Sequence, residues 1–205
     1  MPEAVSKKEG RIVFAVVLAA GESRRFGRSK QLENFAGEPL VRRAAELARE
    51  VCGDRSVQVA GHESAAVIEA AGDAPRYLVD NERYADGIGG SIALVARAVS
   101  HVADAVLLLF ADQPLITAGH LRTLIDNWSG ANDEIMATAF SGTVGPPVLF
   151  PRGAFEALGE LSGDKGAKSV LEDPTFKLHT IPFEDAAVDI DTPTDVERIT
   201  SESRE

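Results

Sequence analysis

One cysteine, Cys52, stands in the 205 residues, and that scarcity removes an internal disulfide and any thiolate metal cluster within one copy of the chain. A reducing, cytoplasmic setting is the expectation. Basic residues are also short, 21 against 32 acidic, giving a net charge of −11, and aromatics make up only 6%. A nucleic-acid binder needs a basic surface, and a single-strand binder needs stacking rings, so nucleic acid is not an expected partner. The longest apolar runs, near 12–20 and 102–111, are too short to cross a bilayer, and residues 1–11 are polar with no apolar core of a signal sequence. Those eleven residues read as a disordered leader, residues 12–200 as one domain, and no membrane partner is expected. His62, His101, His120 and His179 share no metal-ligand spacing. No serine nucleophile elbow is present, so covalent catalysis has no candidate.

What the chain does have is an apolar run entering a loop of small and basic residues: Val16-Val17-Leu18-Ala19-Ala20-Gly21-Glu22-Ser23-Arg24-Arg25-Phe26-Gly27-Arg28-Ser29-Lys30. Gly21 and Gly27 permit backbone conformations that a Cβ resists, and Ala19 and Ala20 leave room for a ligand. Main-chain N–H groups can face anionic oxygens while Arg25 and Lys30 supply countercharge. The spacing is not that of a P-loop, because five residues separate the glycines and Lys30 follows Gly27 by three positions. Nor is there a dinucleotide fingerprint, since Gly87-Ile88-Gly89-Gly90-Ser91 follows no clear strand. A glycine turn with a solvated basic segment is the plainer alternative.

Hydrophobic patterning predicts alternating strands and helices. Strands are expected at 12–18, 56–60, 76–79 and 105–110, paired strands at 135–140 and 144–150 around Gly142, and further strands at 176–181 and 187–190. Helices are expected at 40–51, 63–71, 90–102, from a Thr117 cap to about 128, at 152–159, at 165–172, and after the capping box Thr192-Pro193-Thr194-Asp195. This order predicts one α/β domain with a mostly parallel, mixed sheet covered by helices on both faces. Ligands of such sheets sit beyond the carboxyl ends of the strands.

Asp112 follows the most apolar strand at that edge, in Ala111-Asp112-Gln113-Pro114. A carboxylate facing a triphosphate needs a divalent cation between them, which makes Asp112 a candidate Mg²⁺ ligand, although a turn Asp bonding its own backbone would read the same way. Asp191, preferred over Asp189 in Asp189-Ile190-Asp191, could complete the metal site, or both could simply favour the following helix N-terminus. Asp80, Gly89 and Ser91 form a possible nucleotide contact, with Ser91 equally readable as a helix N-cap. Gly145, Pro147, Asp164 and Lys165 lie on turns that could receive a second substrate, and ordinary turns look alike.

Leu18-Ala19-Ala20-Gly21-x-Ser23-x-Arg25-x-Gly27-x-x-Lys30, Asp112-Gln113-Pro114-Leu115, Gly163-Asp164-Lys165-Gly166-Ala167 and Asp189-Ile190-Asp191-Thr192-Pro193 together resemble the MobA-like nucleotidyltransferases over residues 12–200. The likeness is greatest to the branch that acts as molybdenum cofactor cytidylyltransferase. The resemblance implies a Rossmann-like nucleotidyltransferase fold and a Mg²⁺-dependent transfer of CMP from CTP to the terminal phosphate of a molybdopterin-type acceptor, with release of pyrophosphate. It implies that Leu18 to Gly21, with Ser23, Asp80, Gly89 and Ser91, contact the nucleotide. Arg25 and Lys30 would bind phosphates, Asp112 and Asp191 metal, and Gly145, Pro147, Asp164 and Lys165 the acceptor. An apo-molybdoenzyme is an implied partner. Leu-Ala-Ala-Gly resembles the cytidylyl branch, where guanylyl members read Leu-Ala-Gly-Gly. Phe26, Pro146 and Lys168 depart from the family pattern, the last two in the acceptor half. Two rival readings share these motifs: transfer to a sugar phosphate or phospholactate-like acceptor, and a non-catalytic protein that delivers cofactor to a molybdoenzyme.

Overall fold

The computed structural model describes residues 10–23 and 26–202. The chain runs β1 (Val13–Leu18), β2 (Asn34–Phe35), β3 (Glu38–Pro39), α1 (Leu40–Cys52), β4 (Ser56–Ala60), α2 (Ser64–Ala71), β5 (Tyr77–Asp80), α3 (Ile88–Val99) and β6 (Ala105–Phe110). It continues through α4 (Ala118–Asn127), β7 (Glu134–Phe140), β8 (Thr143–Pro151), α5 (Phe155–Gly159), α6 (Lys168–Leu171), β9 (Lys177–Pro182) and α7 (Pro193–Glu202). Seven strands form one sheet in the order β5-β4-β1-β6-β8-β7-β9, and β2 and β3 form a separate small hairpin.

Within the large sheet, only β8 runs against the rest: β5, β4, β1 and β6 are mutually parallel, β8 is antiparallel to β6 and β7, and β9 is parallel to β7. β1 lies inside the sheet, between β4 and β6, because both of its faces are apolar. Val13, Ala15 and Val17 point into one core with α1, α2 and α4, while Val16 and Leu18 point into another with α3 and α5. Helices therefore cover both faces, as the alternating pattern predicts. Among the described residues no helix is long and apolar enough to cross a membrane.

The second half departs from the expected outline in two ways. The segment 187–190 is not a strand: Glu184–Ala187 forms a 3₁₀ turn, and Ile190 makes one bond to the β6 exit, from its N–H to Asp112 O at 2.9 Å. Its alternation of apolar and acidic residues came instead from Ile190 filling a third small core with Phe26, Phe35, Leu40 and Ile199. The helices expected over 152–159 and 165–172 are cut to α5 and α6, the first after a 3₁₀ turn at Arg152–Ala154. Residues 1–9 of the expected leader lie outside the described residues. Arg11 is bound, donating from Nη1 to Trp128 O at 2.5 Å and packing its guanidinium over the Trp128 ring.

A buried polar chain ties α4 to strands β7 and β8. Thr138 Oγ1 donates to Pro147 O at 2.7 Å, so it accepts from His120 Nε2–H at 2.8 Å, which fixes the imidazole tautomer. Burial pushes the His120 pKa down to about 4 from 6.5. The unfolded chain takes up a proton at His120 below about pH 6.5 that the folded chain refuses until about pH 4, so this stability is complete above 6.5. It falls by on the order of 3 kcal/mol as pH drops through that window. Urea unfolding of His120→Gln is expected to show a shallower decline between pH 6.5 and 5 than the parent chain; equal slopes would remove His120 as the cause.

Candidate active site

The carboxyl ends of β1 and β6 open into a cleft of about 490 Å³, a size that suits a small ligand. β1 ends at Leu18, and the loop after it is folded by its own side chains. Ser23 adopts φ +53°, its hydroxyl donates to Gln31 Oε1 at 3.2 Å and accepts from Lys30 N at 3.1 Å, and Gln31 Nε2 donates to Gly21 O at 2.9 Å. Gly27 takes φ +80°, as its glycine predicts. Behind the loop, Ser29 Oγ donates to Glu63 Oε2. The turn is thus fixed by a half-buried serine and a buried glutamine rather than by glycines alone.

This scaffold aims Lys30 at two carboxylates that are 79 residues apart in sequence. Lys30 Nζ lies 2.6 Å from Asp112 Oδ2 and 2.8 Å from Asp191 Oδ1. Burial opposes the charge on Lys30, yet Asp112 and then Asp191 outweigh it and hold the ammonium above the ordinary lysine range. Asp191 is placed by the buried Ile190 before it and by the capping box after it, where Asp195 Oδ2 accepts from Thr192 N at 2.8 Å and Asp191 N at 3.2 Å. The Thr192 hydroxyl and those N–H groups keep the Asp195 carboxyl below its usual range.

A divalent cation fits this arrangement. Asp112 Oδ1 is buried with no hydrogen-bond partner among the described residues, an acceptor that Lys30 leaves unused, and the available donors are hard carboxylate oxygens. Among the described residues no cluster of three or more His, Cys, Asp or Glu could hold a metal alone. Mg²⁺ does not require one, since it commonly takes one or two carboxylates together with phosphate oxygens and water.

Of the residues singled out from sequence, Leu18, Ala20, Gly21, Ser23, Lys30, Ser91, Asp112, Asp164 and Asp191 line the cleft. Ala19 is buried in the core on the other side of the sheet. Ser91 is inside the first turn of α3 and accepts from Asn81 Nδ2 at 2.9 Å, so Gly87, not Ser91, stands at the N-cap position. Asp80 accepts from Ser64 Oγ at 3.0 Å at the end of β5, and Asp189 lies beside Ile190; neither lines the cleft. Gly145 and Pro147 belong to β8 and Lys165 to the loop before α6, and they too are outside the lining. Arg25 lies outside the described residues. Tyr84 and Phe110 line the cleft without a motif to announce them.

Gly87 and Gly89 serve packing between two loops. Gly89 N donates to Gly163 O at 2.9 Å, and a Cβ on Gly89 would meet Ser162 N at 2.7 Å. On Gly87, at φ +103°, a Cβ would lie 2.3 Å from the Gly163 carbonyl carbon. This close approach carries Asp164 to the cleft wall. Gly87→Ala is expected to cost about 1–3 kcal/mol through backbone strain and forced loop movement, read as a lowered Tm; an unchanged Tm would show that the loops are not tightly joined.

Fold and cleft together define an α/β nucleotidyltransferase. The model of the MobA-like NTP transferase domain matches residues 15–180, and the chain belongs to that family. Purine catabolism protein PucB of Bacillus subtilis is 30% identical over 171 residues, which cover 78% of this chain and 80% of that protein. The crystal structure of an Rv0371c homolog from Mycobacterium sp. strain JC1 has 31% identity, a TM-score of 0.76, and covers 93% of this chain and 96% of its own. Rv0371c of Mycobacterium tuberculosis H37Rv, solved as a complex with manganese, has 26% identity and a TM-score of 0.74 over 92% of this chain and 98% of its own.

Proposed function

We propose that the protein transfers CMP from CTP to the terminal phosphate of a molybdopterin-type acceptor and releases pyrophosphate. The observation that carries the reading is the meeting of Lys30, Asp112 and Asp191 in the wall of a cleft that Leu18, Ala20 and Gly21 also line. The acceptor phosphate oxygen attacks the α-phosphorus in line with the departing pyrophosphate, and no protein nucleophile is needed. Lys30 contributes charge where the transition state accumulates it, and the loop orients the triphosphate for displacement. Arg25 serves as a second phosphate countercharge. Asp112 and Asp191 hold the dication, Mg²⁺ in this reading, which when bound neutralises phosphate charge. The manganese complex of the Rv0371c relative supports a divalent metal.

Ala20 supports cytidine as the base, because Leu18-Ala19-Ala20-Gly21 has the form of the cytidylyl branch. The molybdopterin acceptor is supported by the motifs that resemble the molybdenum cofactor cytidylyltransferase branch. Asp164 and the adjoining Lys165, with Gly145 and Pro147 across the β6 exit, form the acceptor side.

The test is pyrophosphate release by the pure protein with Mg²⁺ or Mn²⁺, each NTP in turn, and molybdenum cofactor, sugar phosphates or phospholactate as acceptor. Release with CTP and molybdenum cofactor alone is the expected result. Release with another pair moves the substrate assignment, and cofactor binding without any release favours a delivery protein for an apo-molybdoenzyme.

A further inference from the structure

Gln113, next to Asp112, is 8% exposed, and its amide faces two carbonyls that come from distant parts of the chain. Nε2 donates to Pro146 O in β8 at 3.1 Å and to Ala186 O at 2.9 Å. Only the NH₂ end can face two carbonyls, so the amide orientation is fixed, and Oε1 remains buried without a hydrogen-bond partner among the described residues. A leucine of similar size would avoid the stranded Oε1 but would take the donor away from the Pro146 and Ala186 carbonyls, so what the amide adds over packing is these two bonds.

That purpose follows from where Ala186 leads. The chain leaves the sheet at Pro182, the end of β9, and reaches Asp191 through a segment that belongs to no ladder. Two bonds tie the segment to the exit of β6: Gln113 Nε2 to Ala186 O, and Ile190 N to Asp112 O at 2.9 Å. Both involve the Asp112-Gln113 pair. Asp112 and Asp191 can share Lys30 only while this segment keeps its register against β6.

We propose that Gln113 is a positioning residue that sets Asp191 opposite Asp112 and holds strand β8 alongside. Its kinetic consequence rests on the nucleotidyl-transfer reading, whereas its structural consequence does not. The decisive variant is Gln113→Leu, which keeps side-chain bulk and removes both donated bonds. Thr138→Val is the control, because it removes a neighbouring bond to β8, the one to Pro147 O, while both bonds donated by Gln113 remain.

Three readouts are compared. Amide hydrogen exchange at Ile190 is expected to quicken by about tenfold or more in Gln113→Leu while the β1 and β6 amides keep their protection. Mn²⁺ binding in the presence of CTP, followed by electron paramagnetic resonance, is expected to weaken by about tenfold, and kcat to fall at least about tenfold with KM for CTP within about twofold. Thr138→Val should leave all three near the parent values. Unchanged exchange at Ile190, or faster exchange throughout the sheet, overturns the proposal. A raised KM with unaltered exchange overturns it in favour of a direct ligand contact. If the parent chain releases no pyrophosphate with any acceptor, the functional reading fails while the exchange result still decides the role of Gln113. Should Gln113→Leu not fold, Gln113→Asn, one methylene short of Ala186 O, is read by the same criteria.

Discussion

Asp112→Asn is expected to lower the rate of pyrophosphate release by at least about a hundredfold while the protein stays folded. Asparagine has nearly the shape of the aspartate, so the turn into Gln113 and the bond from Ile190 N to Asp112 O, a main-chain contact, both survive. What disappears is the charge that faces Lys30 at 2.6 Å and the buried oxygen Oδ1 that no described residue satisfies. An amide nitrogen can take either oxygen's place and can ligate no cation. The rate is measured with saturating CTP and acceptor over a metal titration, alongside thermal unfolding. Turnover near that of the parent chain, with Tm intact, would remove Asp112 from the chemistry.

Lys30→Ala is the second large effect, again at least about a hundredfold in turnover, with a separate signature in stability. The ammonium binds one oxygen of Asp112 and one of Asp191, and without it two carboxylates face each other across that gap. Like charges so placed repel by on the order of 3 kcal/mol at an effective dielectric of about 20, a cost that protonation or a bound cation relieves. The variant should therefore unfold more easily than the parent at neutral pH and regain much of the difference in Mn²⁺. A Tm that does not respond more strongly to Mn²⁺ than that of the parent would show that the two acids do not share a cation site. The two variants fail in opposite electrostatic senses, which separates loss of a ligand from loss of a countercharge.

Much of the framework is legible in the order of the amino acids alone. The strands at 56–60 and 105–110 are where the β-branched and leucine-rich runs predict, because a buried parallel strand needs apolar side chains on both faces. The end of α1 at Gly53, φ +58°, and the caps at Thr117 and Asp195 follow from local hydrogen bonding, which depends on a few neighbouring residues. The reading of 187–190 as a strand failed for a definite reason: alternating exposure marks one buried side, and it cannot tell a sheet ladder from a loop pinned by Ile190 in a small separate core.

The site shows the same division. Composition and local pattern by themselves determined an α/β domain, a basic loop after the first strand, and acids at the ends of two later segments. They did not decide which acids meet. Lys30 lies 82 residues before Asp112 and 161 before Asp191. Only the parallel pairing of β1 with β6 and the docking of the 183–192 segment on the β6 exit bring the three within hydrogen-bond reach. The same is true of Gln113, whose two carbonyl partners lie 33 and 73 residues away, and of Gly87, whose lack of a Cβ matters because Gly163 is packed against it. Backbone conformation and amphipathicity are properties of neighbours in sequence, whereas a charge pair, a buried amide bond or a close backbone approach exists only once folding has joined remote segments.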